Sequence, residues 1–126
     1  MAGALTRDNA IFAMTGATDL SDKEGFAVKI VGATVALATA DTGIFGVVLD
    51  GEATTGKSTI ASMAGASGTV KVKLGDTVAL GGNLKVHTDG KFRAHTTTLN
   101  VSAVAMEAGV VDDLIEAALT TGFTNV

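Results

Sequence analysis

The stretch that decides the fold is residues 65–95, GASGTVKVKLGDTVALGGNLKVHTDGKFRAH. Val70, Val72 and Leu74 alternate with Lys71 and Lys73, the two-residue period of a half-buried strand. Gly75-Asp76 breaks the run before Thr77–Leu80, and Gly81-Gly82 breaks it again. Leu84 and Val86 then alternate with Lys85 and His87, and Phe92 and Ala94 with Lys91 and Arg93, on either side of Asp89-Gly90. A two-residue Asp89-Gly90 turn sets Val86 opposite Arg93 and mixes apolar with charged side chains on one face. A three-residue loop of Thr88, Asp89 and left-handed Gly90 sets Val86 opposite Phe92 and Leu84 opposite Ala94, and is the one predicted.

Working outward from this hairpin, the rest of the chain also reads as strands. Gly25 opens a strand with Phe26, Val28 and Ile30 on one face, and Thr34–Ala38 returns after Gly32. Ile44–Leu49 is a continuous apolar run of the kind found in strands buried on both faces. Residues 50–69 are rich in Gly, Ser and Thr, with one short candidate strand at Ser58–Met63, and Val101–Met106 supplies another. Residues 110–119, VVDDLIEAAL, fit both a helical stripe and a strand, and propensity alone favours the helix. Residues 1–22 are expected to be an arm or an early edge strand, because neither Ala2–Leu5 nor Ile11–Met14 is long enough to sustain a helix. Residues 23–126 then form a single β domain. An offset of 58 places Phe26, Val28, Gly32 and Ala36 on Leu84, Val86, Gly90 and Ala94, and Gly46–Asp50 echoes Ala103–Glu107, which suggests a duplication.

Composition limits the chemistry. Of 126 residues, 47% are hydrophobic but only 4% aromatic, so the core is aliphatic. Charged residues are 17%, below the roughly 25% usual in soluble domains, which favours an oligomer or a large docking partner. With no Cys, disulfides, thiol catalysis and Cys-ligated zinc are excluded. The N-terminus lacks the basic start and apolar core of a signal peptide, and no apolar run reaches the roughly 18 residues of a membrane helix. A soluble protein made in a cytoplasm is expected, with no membrane partner. Residues 57–95 carry six Lys/Arg against Asp76 and Asp89, while the remainder carries three against eleven acids. On the predicted hairpin, Lys85, His87, Lys91 and Arg93 share the outer face, either as a patch for an acidic partner or as a lysine-guarded edge. Without interleaved aromatics there is no platform for stacked bases, so no nucleic-acid partner is expected.

Gly51–Ser58, GEATTGKS, satisfies the G-x-x-x-x-G-K-[ST] pattern after an apolar strand. In a phosphate-binding loop Lys57 reaches a terminal phosphate and Ser58 a magnesium ion. Such a loop must open a substantial helix, whereas Thr59–Met63 is short and stopped by Gly65 and Gly68. His87, Asp89 and His95 are the one candidate metal set, and two His set apart on a hairpin do not make a site. Asp112, Asp113 and Glu116 read as a solvated acidic face. The expectation is of no catalytic, cofactor-binding or metal-binding residues, hence no cofactor and no enzyme.

The phrase VKVKLGDTVALGGNL (70–84) also resembles the hammerhead fold of biotinyl or lipoyl carrier domains. Lys91, between Gly90 and Phe92, departs from the hairpin in which those domains present their modified lysine. The order of segments along 25–119 resembles the capsid decoration (cement) proteins of tailed bacteriophages. It runs from a Gly-opened strand (Gly25–Val31) and a GVxL-type strand (Gly46–Leu49) to a V-x-V-x-x-G-D-x-V-type stretch (Val70–Val78). An xxDGxx hairpin (His87–Phe92) and a GVAxEA-type strand follow, the last read here as Ala103–Ala108. The resemblance implies a mainly β, compact β-barrel or β-tulip-like domain with a final strand at 112–119. It further implies a homotrimer on the outer capsid surface of the virion, bound to the major capsid protein and cementing the shell. Alternatives are another phage structural component, such as a head fibre base or tail subunit, or a nucleotide-binding protein using Gly51–Ser58.

Overall fold

The computed structural model describes residues 11–39, 44–54, 56–62, 69–95 and 101–119. Among them the chain forms strands and no helix. β1 (Ile11–Thr15), β2 (Ala27–Val31), β3 (Thr34–Leu37), β4 (Gly46–Asp50) and β5 (Lys57–Ser62) make one antiparallel sheet in the order β1-β5-β4-β2-β3. β6 (Val70–Lys73), β7 (Asn83–Val86), β8 (Phe92–His95), β9 (Ala103–Ala105) and β10 (Leu114–Leu119) make a second in the order β6-β10-β9-β7-β8. Adding five to each strand number of the first order gives the second.

The duplication extends to the register. Val28 faces Leu37 and Gly46 in the first sheet, and Leu84 faces Ala94 and Ala103 in the second. Ile30 faces Val35 as Val86 faces Phe92, and Thr15 faces Lys57 as Lys73 faces Leu114. These pairs interconvert when 58 is added in β1, 56 in β2 and 57 in β3, β4 and β5. The loops repeat as well. Gly25 and Gly81, at φ 86° and 83°, donate their N–H groups to Val48 O (2.8 Å) and Ala105 O (2.7 Å). Leu20 N–H donates to Glu52 O (3.0 Å) as Val78 N–H donates to Gly109 O (2.9 Å).

Each half surrounds its own aliphatic interior. Leu20, Val28, Val35, Val48 and Ile60 are buried together in the first half, and their equivalents Val78, Leu84, Phe92, Ala105 and Ala117 in the second. The second cluster also takes in Ala27, Ala38 and Val47 from the opposite face of the first sheet, so one continuous core spans the junction. Neighbouring β4 residues therefore serve different cores, Val47 at the junction and Val48 in the first half. That is why this strand reads as an unbroken apolar run rather than an alternation.

The antiparallel, mainly β architecture agrees with the sequence, but neither sheet closes into a barrel. Among the described residues, only single parallel bridges, Gly16 to Val35 and Leu74 to Phe92, bring the two edges of each sheet together at one end. The hairpin register is the predicted one, with Gly90 at φ 79° and Val86 opposite Phe92. The ambiguous 110–119 segment divides. Asp113 N–H donates to Val110 O (3.1 Å) in a turn that holds Asp112 at φ 70°, and Leu114–Leu119 is a strand between β6 and β9. Tertiary pairing on both sides overrides its helical propensity, and buried Ile115 and Ala117 flank half-buried Glu116. Within the stretch expected as an arm or an early edge strand, Ile11–Thr15 is an edge strand paired with β5 along its length, and Leu20 is fully buried. Ile11–Thr15 thus belongs to the first sheet, and the turns of 16–22 pack against it through Leu20; residues 1–10 lie outside the described residues.

Candidate functional site

The Gly51–Ser58 pattern folds as the connection between β4 and β5, with Lys57 and Ser58 already in the strand. Ser58 is fully buried, and its Oγ accepts the Glu52 N–H (2.9 Å). Gly51 N–H donates to Glu24 Oε2 (3.0 Å), which puts a carboxylate where a phosphate cradle needs an anion's place. A Cβ on Gly51 would overlap the Leu20 carbonyl, so this glycine serves close packing. The nucleotide-binding reading is corrected: no helix follows the loop, and the backbone donors at Gly51 and Glu52 are already taken by the chain's own side chains.

The other candidate groups also disperse. Asp89 Oδ2 pairs with Arg93 Nη2 (2.6 Å), and its Oδ1 accepts the Lys91 N–H (3.2 Å), so it is committed to its own hairpin. No group of three or more His, Asp or Glu able to hold a metal occurs among the described residues. Asp112 Oδ1 lies 2.9 Å from Lys91 Nζ, Asp113 Oδ2 accepts the Val110 N–H (2.9 Å), and Glu116 Oε2 accepts the Thr69 hydroxyl (2.6 Å). These three carboxylates perform separate structural tasks. The Asp112 carboxyl is held below the usual carboxylate range by its hydrogen bond from Lys91 and then by that ammonium's charge.

The basic face of the β7–β8 hairpin is partly neutralised. Arg93 pairs with Asp89 and donates from Nη1 to Gly75 O (2.6 Å), while Lys91 reaches Asp112. Lys91 Nζ also lies 5.9 Å from the centre of the Phe26 ring, with Lys23 Nζ at 5.3 Å. Lys91 and Arg93 are thus held in contacts within the molecule.

What the surface offers instead is apolar. Ile30 and Val31 are exposed at the end of the first half's hairpin, and Leu80, Met106, Val110 and Val111 on the loops of the second half. Leu80 and Met106 are close, because Gly81 N–H donates to Ala105 O, and Val110 follows the Val78–Gly109 bridge. Ile30 shares a face with Val28 in the sequence pattern, yet Val28 is buried and Ile30 exposed. Only the packing of the two halves distinguishes them.

No protein-family model matches the chain, and no curated protein is similar to it. Among solved structures it is similar to the N base of the head fibre gp8.5 of bacteriophage phi29. The likeness has a TM-score of 0.66 at 16% identity and covers 92% of this chain and 98% of that one. At that identity the likeness is one of fold, and its coverage takes in both sheets.

Proposed function

We propose that this protein is a structural component of a tailed-phage virion, mounted on the outer surface of the head as the base of a head fibre or a comparable appendage. The observation that carries the reading is the fold likeness to a head fibre base over nearly the whole of both chains. The exposed apolar loops and the low charge suit a protein whose task is to stay attached. In this reading its partner is the major capsid protein, and it needs no cofactor and catalyses no reaction.

The cementing role remains as a second reading, favoured by the order of segments shared with the decoration family, which also adds a homotrimer on the capsid to the proposal. A cement must bind the assembled shell better than free subunits, and that difference stabilises the shell by mass action. Sedimentation with phage heads stripped of their surface proteins separates the two readings. Few copies per head and unchanged heat resistance are expected of a fibre base. Saturation on the order of hundreds of copies, with heads more resistant to heat, is expected of a cement. Absence of the protein from the pelleted heads overturns both.

A further inference from the structure

The sequence holds two Asp-Gly links, Asp50-Gly51 and Asp89-Gly90. Such links are chemically weak, because glycine has no Cβ to keep its nitrogen away from the preceding side chain. The glycine nitrogen attacks the aspartyl Cγ and gives up its proton, and one carboxyl oxygen leaves as water. A five-membered succinimide results. Water then opens the ring. Cleavage at Cγ restores aspartate, whereas cleavage at the main-chain carbonyl leaves isoaspartate, with the backbone running through the side-chain carbon. Composition is unchanged, and water is the one co-reactant.

The two links are closed by different means. At Asp50-Gly51 the nucleophile is tied, since Gly51 N–H donates to Glu24 Oε2 (3.0 Å). The backbone is fixed as well, because Gly51 is packed against the Leu20 carbonyl and Asp50 ends β4, a strand paired on both sides. At Asp89-Gly90 the nucleophile is open, as Gly90 N–H has no hydrogen-bond partner among the described residues. Here the carboxyl is held instead. Asp89 Oδ2 pairs with Arg93 Nη2 (2.6 Å), and Oδ1 accepts the Lys91 N–H (3.2 Å). Either oxygen must be let go before it can depart as water. The Arg93 and Asp89 side chains are 32% and 41% exposed, and ion pairs so open to solvent hold weakly. The weaker closure is therefore the one at Asp89.

We propose that Asp89-Gly90 is the link at which this protein ages to isoaspartate, and that Arg93 sets the rate by holding the carboxyl away from the Gly90 nitrogen. Arg93 acts as a positioning residue. The modification falls where the halves meet. Ala27 N–H donates to Gly90 O (2.8 Å), and a Cβ on Gly90 would lie 3.2 Å from Ala27 O and 3.3 Å from the Phe26 ring. Isoaspartate lengthens the main chain by one carbon just before Gly90, and the close fit leaves no room for it. The aged form is therefore less stable than the fresh one. None of this depends on attachment to a capsid.

Peptide mapping by mass spectrometry, with fragmentation that separates isoaspartate from aspartate, tests the proposal on the full chain incubated for weeks near neutral pH. In the wild type, isoaspartate is expected at residue 89 and not at 50, whereas the guanidinium-denatured chain is expected to form it at both. Arg93→Gln is expected to speed formation at 89 by about two- to fivefold, the worth of an exposed pair, and to leave 50 unchanged. Arg93→Lys keeps a charge beside Asp89 and is expected to fall between Gln and the wild type, which separates guarding from mere loosening of the hairpin. The aged wild type is expected to melt below the fresh protein. Formation at 50 as fast as at 89, an Arg93→Gln rate equal to that of the wild type, equal acceleration at both links, or no isoaspartate in any folded form each overturn the proposal.

Discussion

Lys91 Nζ lies 2.9 Å from Asp112 Oδ1, which ties the tip of the β7–β8 hairpin to the turn that precedes β10. The pair joins two connections 21 residues apart, and Lys91 also faces the Phe26 ring across the junction of the halves.

The pair gives a pH dependence of defined sign. The folded-state pKa of Asp112 is depressed, so its contribution to stability is present above the unfolded-state carboxyl value and is lost as pH falls through the folded-state one. Because Asp112 is exposed, the effect on overall stability is expected to be small. Replacing Lys91 with Met should move the Asp112 titration up toward the ordinary range, as read by carboxyl-carbon NMR. An unmoved midpoint would show that the ion pair is not formed in solution.

Gly51 has no room for a side chain beside the Leu20 carbonyl. Gly51→Ala is expected to cost about 3 kcal/mol, from overpacking against backbone. At Gly32 a Cβ meets no atom within 4 Å, and Ala there pays only for a φ of 60°, about 1 kcal/mol. Denaturant midpoints of the two variants should differ accordingly; equal losses would mean that backbone conformation, not packing, sets the cost at Gly51.

Ser58 and Ser102 are both fully buried, yet their substitutions should act in opposite directions. Ser58→Ala strands the Glu52 N–H and should lower stability by about 1–3 kcal/mol. Ser102 Oγ has no hydrogen-bond partner among the described residues, so Ser102→Ala should raise stability by about 1 kcal/mol. Mg-ATP should leave the melting temperature of the wild type unchanged. A rise would restore the nucleotide reading of Lys57 and Ser58.

Phe92 is the largest fully buried side chain among the described residues, and its replacement by Ala should cost about 3–5 kcal/mol. Since Ala27, Ala38 and Val47 of the first sheet belong to the same core, the loss should reach both halves. Denaturation of Phe92→Ala followed by far-ultraviolet circular dichroism should remain one transition at a lower midpoint. Two resolved transitions would show that the halves unfold independently.

Much of the fold was legible because alternation and turn chemistry agreed. Val86 faces Phe92 since only that register keeps Leu84, Val86 and Phe92 on one buried face, and Gly90 supplies the left-handed position it requires. The internal echo was right that the chain repeats, but the matches it named at an offset of 58 are out of register: Val28 corresponds to Leu84 and Ile30 to Val86, a spacing of 56 in β2 and of 57 in β3. Leu20 was hidden by its turn-rich neighbours, yet the same echo places it on Val78, and both are buried. The seam between the halves could not be read. Gly25, Ala27 and Gly90 look like ordinary turn and strand residues until the two sheets meet. Nor could alternation tell Ile30, left bare, from Val86, covered, since both sit at the same step of the same hairpin. The phosphate-loop pattern matched at its four fixed positions, and the short Thr59–Met63 stretch already told against the helix that such a loop must open.

The strand order also governs how the protein can be made. In each half the fifth strand lies between the first and the fourth, so β1 has no lateral partner until β5 has left the ribosome. β6 waits in the same way for β10. A ribosome that stalls before Leu114 releases a chain in which β6 and β9 are bare edges, each open to pairing with a strand of another nascent molecule. Completion of the second sheet therefore waits for β10, and termination just before it favours aggregation through those edges.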